Sequence, residues 1–154
     1  MPIVLLTLEN LLDINEEIKK EAAKDKNIEY RGSEDYPIQK NKLKKLIEYT
    51  PDREIIDIAS YYLKNIILLQ AFPDANHRTA LAAVEVFLNK NEIDLDYNPE
   101  EAYLFQKECY GSRLRIYGTY EEMPVSILNE NDNDLFKLCK EFIQNHIEQL
   151  SKFY

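Results

Sequence analysis

The stretch Ile55 to Leu69 is apolar on almost every helical face: Ile55, Ile56, Ile58, Ala59, Tyr62, Leu63, Ile66, Ile67, Leu68 and Leu69. A helix apolar all round is stable only at the centre of a domain, with other elements covering it on every side. Gln70-Ala71-Phe72-Pro73 ends it, because proline disfavours helical backbone at the residue before it. Thr50-Pro51-Asp52 reads as its beginning: a cap, a proline in the first turn and an early acid.

The covering elements follow from periodicity. Thr7 is a good N-cap, and Leu8, Leu11, Leu12 and Ile18 keep one helical face down to about Ala23. A short helix over 39–49 carries Leu43, Leu46 and Ile47. A helix from Asn76 to about Asn91 has the stripe Ala80, Leu81, Val84, Phe87 and Leu88. Asn98-Pro99-Glu100-Glu101 is a capped start for a helix to Tyr110. Residues 111–131 are ambiguous, with a short helix over 121–128 as one reading. A last helix from Asp134 turns Leu135, Leu138, Phe142, Ile143, Ile147 and Leu150 inward. Residues 26–38 hold Asn27, Gly32, Ser33, Asp35 and Pro37 among Ile28, Tyr30 and Tyr36, which reads as a loop or small hairpin. With only three glycines and long runs of Leu, Ile, Lys and Glu, the expectation is an all-α single domain over 1–154. Six to eight helices are expected, with 54–69 and 76–91 as a central antiparallel pair.

Charge and cysteine usage narrow the function. At a net charge of −9 the chain gains nothing from counterion release, which argues against non-specific nucleic-acid binding. One locally positive site for a nucleotide remains compatible with that balance. Cys109 and Cys139 lie far apart in sequence and form no zinc-ligand pair or disulfide framework, so they read as two buried thiols in a reducing compartment. The apolar run Ile3–Leu6 is too short for a signal peptide or a membrane span. The expectation is a soluble, cytoplasmic protein with no membrane partner.

Chemistry concentrates in Phe72-Pro73-Asp74-Ala75-Asn76-His77-Arg78-Thr79. The first N–H groups of a helix lack internal partners and sit at the positive end of its dipole, which suits a phosphate. Asp74 can hold a hard cation such as Mg²⁺, which usually takes one or two carboxylates plus phosphate oxygens. Asn76 can bond a phosphate or the loop, and Arg78 brings a fixed fork of donors. A plain cap is the competing reading: Asp74 caps the helix, Asn76 steadies the turn and Arg78 is solvated.

The run Gln70-Ala71-Phe72-Pro73-Asp74-Ala75-Asn76-His77-Arg78-Thr79-Ala80-Leu81 resembles the signature of the Fic/Doc family, in its Doc-like, death-on-curing branch. The likeness spans about residues 7–110, leaving 111–154 as a C-terminal helical extension. It implies a Fic-fold helical bundle with a small β-hairpin flap. It also implies a toxin-like transferase that puts AMP or phosphate from ATP on a target-protein hydroxyl. Under that resemblance Asp74 holds Mg²⁺, Asn76, His77 and Arg78 bind phosphates, and Phe72 anchors the loop. The 26–38 flap receives the target chain as an added strand. An antitoxin protein and a second copy of the chain are further implied partners.

Three positions depart from or extend that pattern. Gln70 stands where the family has its catalytic histidine, and an amide cannot serve as a general base, a loss of about a hundred- to ten-thousandfold in rate. His77 replaces the family's Gly or Lys and is the one candidate substitute base. Ser126 and Glu130 match an inhibitory motif in which Glu130 would reach Arg78. His146 reads as a boundary histidine of the last helix. Two functions compete: a Mg-nucleotide-binding protein with impaired transfer, and a catalytically silent protein-binding module or regulatory pseudoenzyme.

Overall fold

The central helix is where its sequence demands. In the computed structural model, which describes residues 2–25 and 37–149 (148 and 149 by backbone alone), α3 spans Ile55–Leu69 and is buried continuously from Ile58 onward. Around it lie α1 (Leu8–Lys24), α2 (Lys40–Glu48), α4 (Asn76–Lys90), α5 (Pro99–Tyr117) and α6 (Asp134–His146). The fold is all-α. α3 packs most closely on α4 and α6, while α1 covers α4. Tyr62 of α3 meets Phe87 of α4 edge-on at 5.1 Å between ring centroids, which locks the two helices into a hairpin.

Burying α3 on all sides leaves its polar residues to be satisfied from within. Ser60 Oγ donates to the Ile56 carbonyl and Asn65 Nδ2 to the Tyr61 carbonyl. Lys64 reaches out of the helix, and its Nζ donates to the carbonyls of Ile127 and Glu130. Those contacts fasten the 3₁₀ turn Val125–Asn129 onto α3. Burial pulls the Lys64 pKa down to about 8, with Glu130 opposing the shift.

Several local expectations are corrected. Thr50 does not cap α3; its hydroxyl donates to the Ile47 carbonyl at 2.8 Å and closes α2, and the N-cap of α3 is Glu54. The helix expected to end at Tyr110 continues through Gly111 to Tyr117 and stops at Gly118, which takes a left-handed φ of 68°. The helix expected over 121–128 is the later, shorter 3₁₀ turn. Ile147 begins a strand: β1 (Ile93–Leu95) pairs antiparallel with β2 (Ile147–Gln149), Ile93 opposite Gln149. Cys109 and Cys139, distant in sequence, are both free and buried. The neighbouring Cys139 thiol and burial push the Cys109 thiol up, and both cysteines are enclosed, so neither should react with Ellman's reagent in the native state, and both should after urea unfolding. A thiolate released from folded protein would contradict that packing. Residues 26–36 of the expected flap lie outside the described residues.

One surface position carries backbone strain. Glu92 is exposed and held at φ 64° in the turn between α4 and β1. Glu92→Gly removes a left-handed penalty of about 1–2 kcal/mol, partly offset by glycine's entropy. A net gain of about 0.5–1 kcal/mol in urea unfolding is expected; a loss would mean the Glu92 side chain contributes more than its exposure suggests.

Candidate functional site: the α3–α4 junction

The loop between α3 and α4 is strained at both ends. Gln70 ends α3 at φ 45° and Ala75 opens α4 at φ 63°, both left-handed. Between them Phe72 is buried in the core. Asn76 staples the loop: its Oδ1 accepts from the Phe72 N–H at 3.2 Å and its Nδ2 donates to the Phe72 carbonyl at 3.1 Å. The Asn76 side chain is therefore engaged by the loop. Asn15, buried on α1, donates to the Asp74 carbonyl and to Thr79 Oγ1. The far side is held by Lys42, whose Nζ donates to the carbonyls of Leu69 and Met123.

This bracing leaves α4 without a side-chain cap. Asp74 does not cap the helix; its Oδ1 accepts from the adjacent Ala75 N–H at 2.7 Å. The mouth of α4 opens on a cavity of about 490 Å³. Asp74, Asn76, His77 and Arg78 line it from the loop and α4, and Gln106, Tyr110 and Arg113 from α5. Gln70 and Tyr120 form one wall, joined by the Gln70 Nε2 donating to the Tyr120 carbonyl at 2.9 Å. Among the described lining residues there are two guanidiniums and one carboxylate, in a chain whose net charge is −9.

His77 and Arg113 share the deep part. The His77 ring packs edge-on against Tyr110 at 5.3 Å, and Tyr110 against Tyr120 at 5.7 Å. Burial, with the Arg113 charge adding to it, pushes the His77 pKa down to about 4. His77 is thus neutral near pH 7, and a base that weak abstracts little from a hydroxyl. Arg113 is 2% exposed. Its Nη2 donates to the Glu121 carbonyl at 2.9 Å, and burial lowers its pKa. Sequence reasoning missed Arg113 because the helix carrying it was ended too early.

The other expected site residues lie elsewhere. Ser126 and Glu130 are exposed and do not line the cavity; the Glu130 main chain is bound to Lys64, so the inhibitory approach to Arg78 is not formed. His146 is engaged by the Phe142 carbonyl at 2.7 Å and Glu101 at 2.5 Å. Among the described residues no three His, Cys, Asp or Glu side chains converge as a metal site. Asp74 is a single carboxylate, so Mg²⁺ fits here only when phosphate oxygens supply the rest of its shell. No described helix is long and apolar enough to cross a membrane.

Comparison with known proteins revises the lineage. The profile of DUF8172, a family of unknown function, matches residues 4–103. No Fic profile matches, so the Fic/Doc resemblance is overturned. The physical reason is visible in the loop. A tight turn into a helix start selects Pro, Asp, Ala and Asn for backbone reasons alone, and here Asn76 serves the turn. The target-binding flap, the antitoxin and the toxin role rested on that resemblance alone and lose that support. No curated protein and no solved structure matches the chain.

Proposed function

We propose, from the premise that the chain belongs to the DUF8172 family of unknown function, that its α3–α4 cavity binds a phosphate-bearing small molecule of nucleotide type, without general-base catalysis. The observation that carries this reading is the mouth of α4, without a side-chain cap, opening into a cavity lined by Arg78 and Arg113. The first amides of a helix and a guanidinium fork are matched to phosphate oxygens. The volume suits a ligand of nucleotide size, and Tyr110 and Tyr120 offer ring faces to a base. Mg²⁺ would arrive on the phosphates and take Asp74 as its protein ligand. Gln70 holds the Tyr120 segment and has no proton-accepting role, so bound nucleotide is retained rather than turned over.

Titration calorimetry with ATP and ADP, with and without Mg²⁺, tests the reading. Binding is expected for both. Arg78→Ala should weaken it at least tenfold, and Asp74→Ala should abolish the Mg²⁺ dependence. No heat and no thermal shift at millimolar ATP, ADP or pyrophosphate would sink it.

A second reading, a silent protein-binding module, draws on the outer face of α5, where Tyr103, Leu104 and Leu114 are exposed. Tyr103→Glu with Leu114→Glu should then reduce partner capture while leaving nucleotide affinity alone.

A further inference from the structure

We propose, resting on the phosphate reading above, that the turn Thr119–Glu122 is a lid on this cavity and Gln70 its latch, so that one exposed hydrogen bond controls how ligand enters and leaves.

The turn is held unlike the rest of the fold. From Gly118 to Ser126 no residue is buried. Among the described residues, Thr119 to Glu122 make no main-chain bond to main chain elsewhere in the fold. The flanking anchors are firm: the Gly118 N–H donates to the Leu114 carbonyl at 3.0 Å, and the Met123 N–H to the Leu68 carbonyl at 2.9 Å. Between those points side chains do the fastening. Gln70 Nε2 donates to the Tyr120 carbonyl, Arg113 Nη2 to the Glu121 carbonyl, and Gln39 Nε2 to the Glu122 carboxylate at 2.7 Å. A segment with few buried contacts and exposed hydrogen bonds opens locally at small cost.

The turn also has something to cover and room to move. Tyr120 lines the cavity with its ring edge-on to Tyr110, yet it is half exposed, so it stands between the hollow and water. Glu122 lines a second hollow of about 490 Å³, together with Gln39, Gln70 and Phe72. Open space therefore borders the turn at both residues. Gly118, where the turn leaves α5, is left-handed at φ 68° with nothing within 4 Å of the place a Cβ would take, an unobstructed pivot. Gln70 ties the turn to the end of α3, so its bond closes the wall. The Arg113 bond returns to α5, the helix that the turn has just left. A neutral, solvent-exposed hydrogen bond is worth about tenfold in an equilibrium at most, weak enough to act as a latch.

Limited proteolysis and binding kinetics on the full chain test this together. Gln70→Met keeps the side chain's length and removes the donor; Glu122→Ala cuts the Gln39 tether at an exposed position. In each, cleavage by glutamyl endopeptidase between Thr119 and Met123, mapped by mass spectrometry without ligand, should run about three- to tenfold faster than in the unaltered chain. Stopped-flow mixing with N-methylanthraniloyl-ATP and Mg²⁺ should show Gln70→Met raising the association and dissociation rates together, each about threefold or more. Cleavage at the unaltered rate in both folded variants overturns the lid. A rise in the dissociation rate alone also overturns it, since Gln70 would then be a ligand contact and not a latch. Faster cleavage without nucleotide binding in any form leaves the lid standing and overturns the phosphate reading. If circular dichroism shows that Gln70→Met does not fold, Glu122→Ala decides by the same two readouts.

Discussion

A Phe87→Ala variant is expected to unfold about 3–5 kcal/mol more easily than the unaltered chain, the usual cost of truncating a fully enclosed aromatic ring. Phe87 is 0% exposed and stacks edge-on against Tyr62 in the seam between α3 and α4. Nothing polar is lost, so the effect is packing alone: transfer free energy plus the cavity left behind. Domains of this size hold about 5–15 kcal/mol in total, so the loss is a large share. Phe87→Leu, which fills most of the volume, should recover more than half of it. Urea unfolding at pH 7 measures both variants. The prediction reaches function because the α3–α4 hairpin fixes where the loop and the mouth of α4 sit. Ligand affinity should therefore fall in Phe87→Ala even under conditions where the variant is folded. A loss below about 1 kcal/mol would mean that α4 is not seated on α3 in the described way.

How much of this could be read from sequence depended on whether the signal was local. Thr7 with Asn10, and Asn98 with Glu101, are capping boxes whose partners lie three residues apart, so those helix starts were legible. The core position of α3 followed from its composition alone. Thr50 misled because a hydroxyl can close the helix behind it as readily as cap the one ahead; the choice is made by three-dimensional surroundings. Gly111 misled in the same way. Glycine weakens a helix by only about 1 kcal/mol, and packing of Phe105, Cys109 and Ser112 carries α5 through it. That one error hid Arg113, which faces the cavity only because the helix continues. The Asn15 brace and the Gln70–Tyr120 bond join residues distant in the chain, and no spacing rule reports such pairs. The motif at 72–79 was legible as the turn into α4 but illegible as a lineage. Its residues answer to the geometry of a strained turn into a helix, which more than one family has to solve.

The second large effect is a pH dependence centred on His77. Its pKa is about 4 in the folded chain against 6.5 for an ordinary histidine, because burial and the Arg113 charge disfavour the imidazolium. Between those two values the unfolded chain binds more protons than the folded one, so stability must fall as pH falls. Above pH 6.5 both states are neutral at this site and it contributes no slope; below about 4 both are charged and the loss is complete. The full shift corresponds to about 3.4 kcal/mol, and since the ring is not wholly excluded from water, a loss of about 2–3 kcal/mol is expected. Carboxylates such as Asp132, held low by Arg53, also cost stability in acid, so the unaltered chain's curve is not enough by itself. The difference from His77→Gln isolates the ring. Glutamine loses the contact with Tyr110, a constant offset, but it cannot titrate. Urea-unfolding free energies for the two proteins should run parallel from pH 8 to 6.5 and then converge, or cross, toward pH 4. Curves that stay parallel throughout would mean that the imidazole reaches water in the folded chain. Burial beside Arg113 would then not be what sets the charge of this ring.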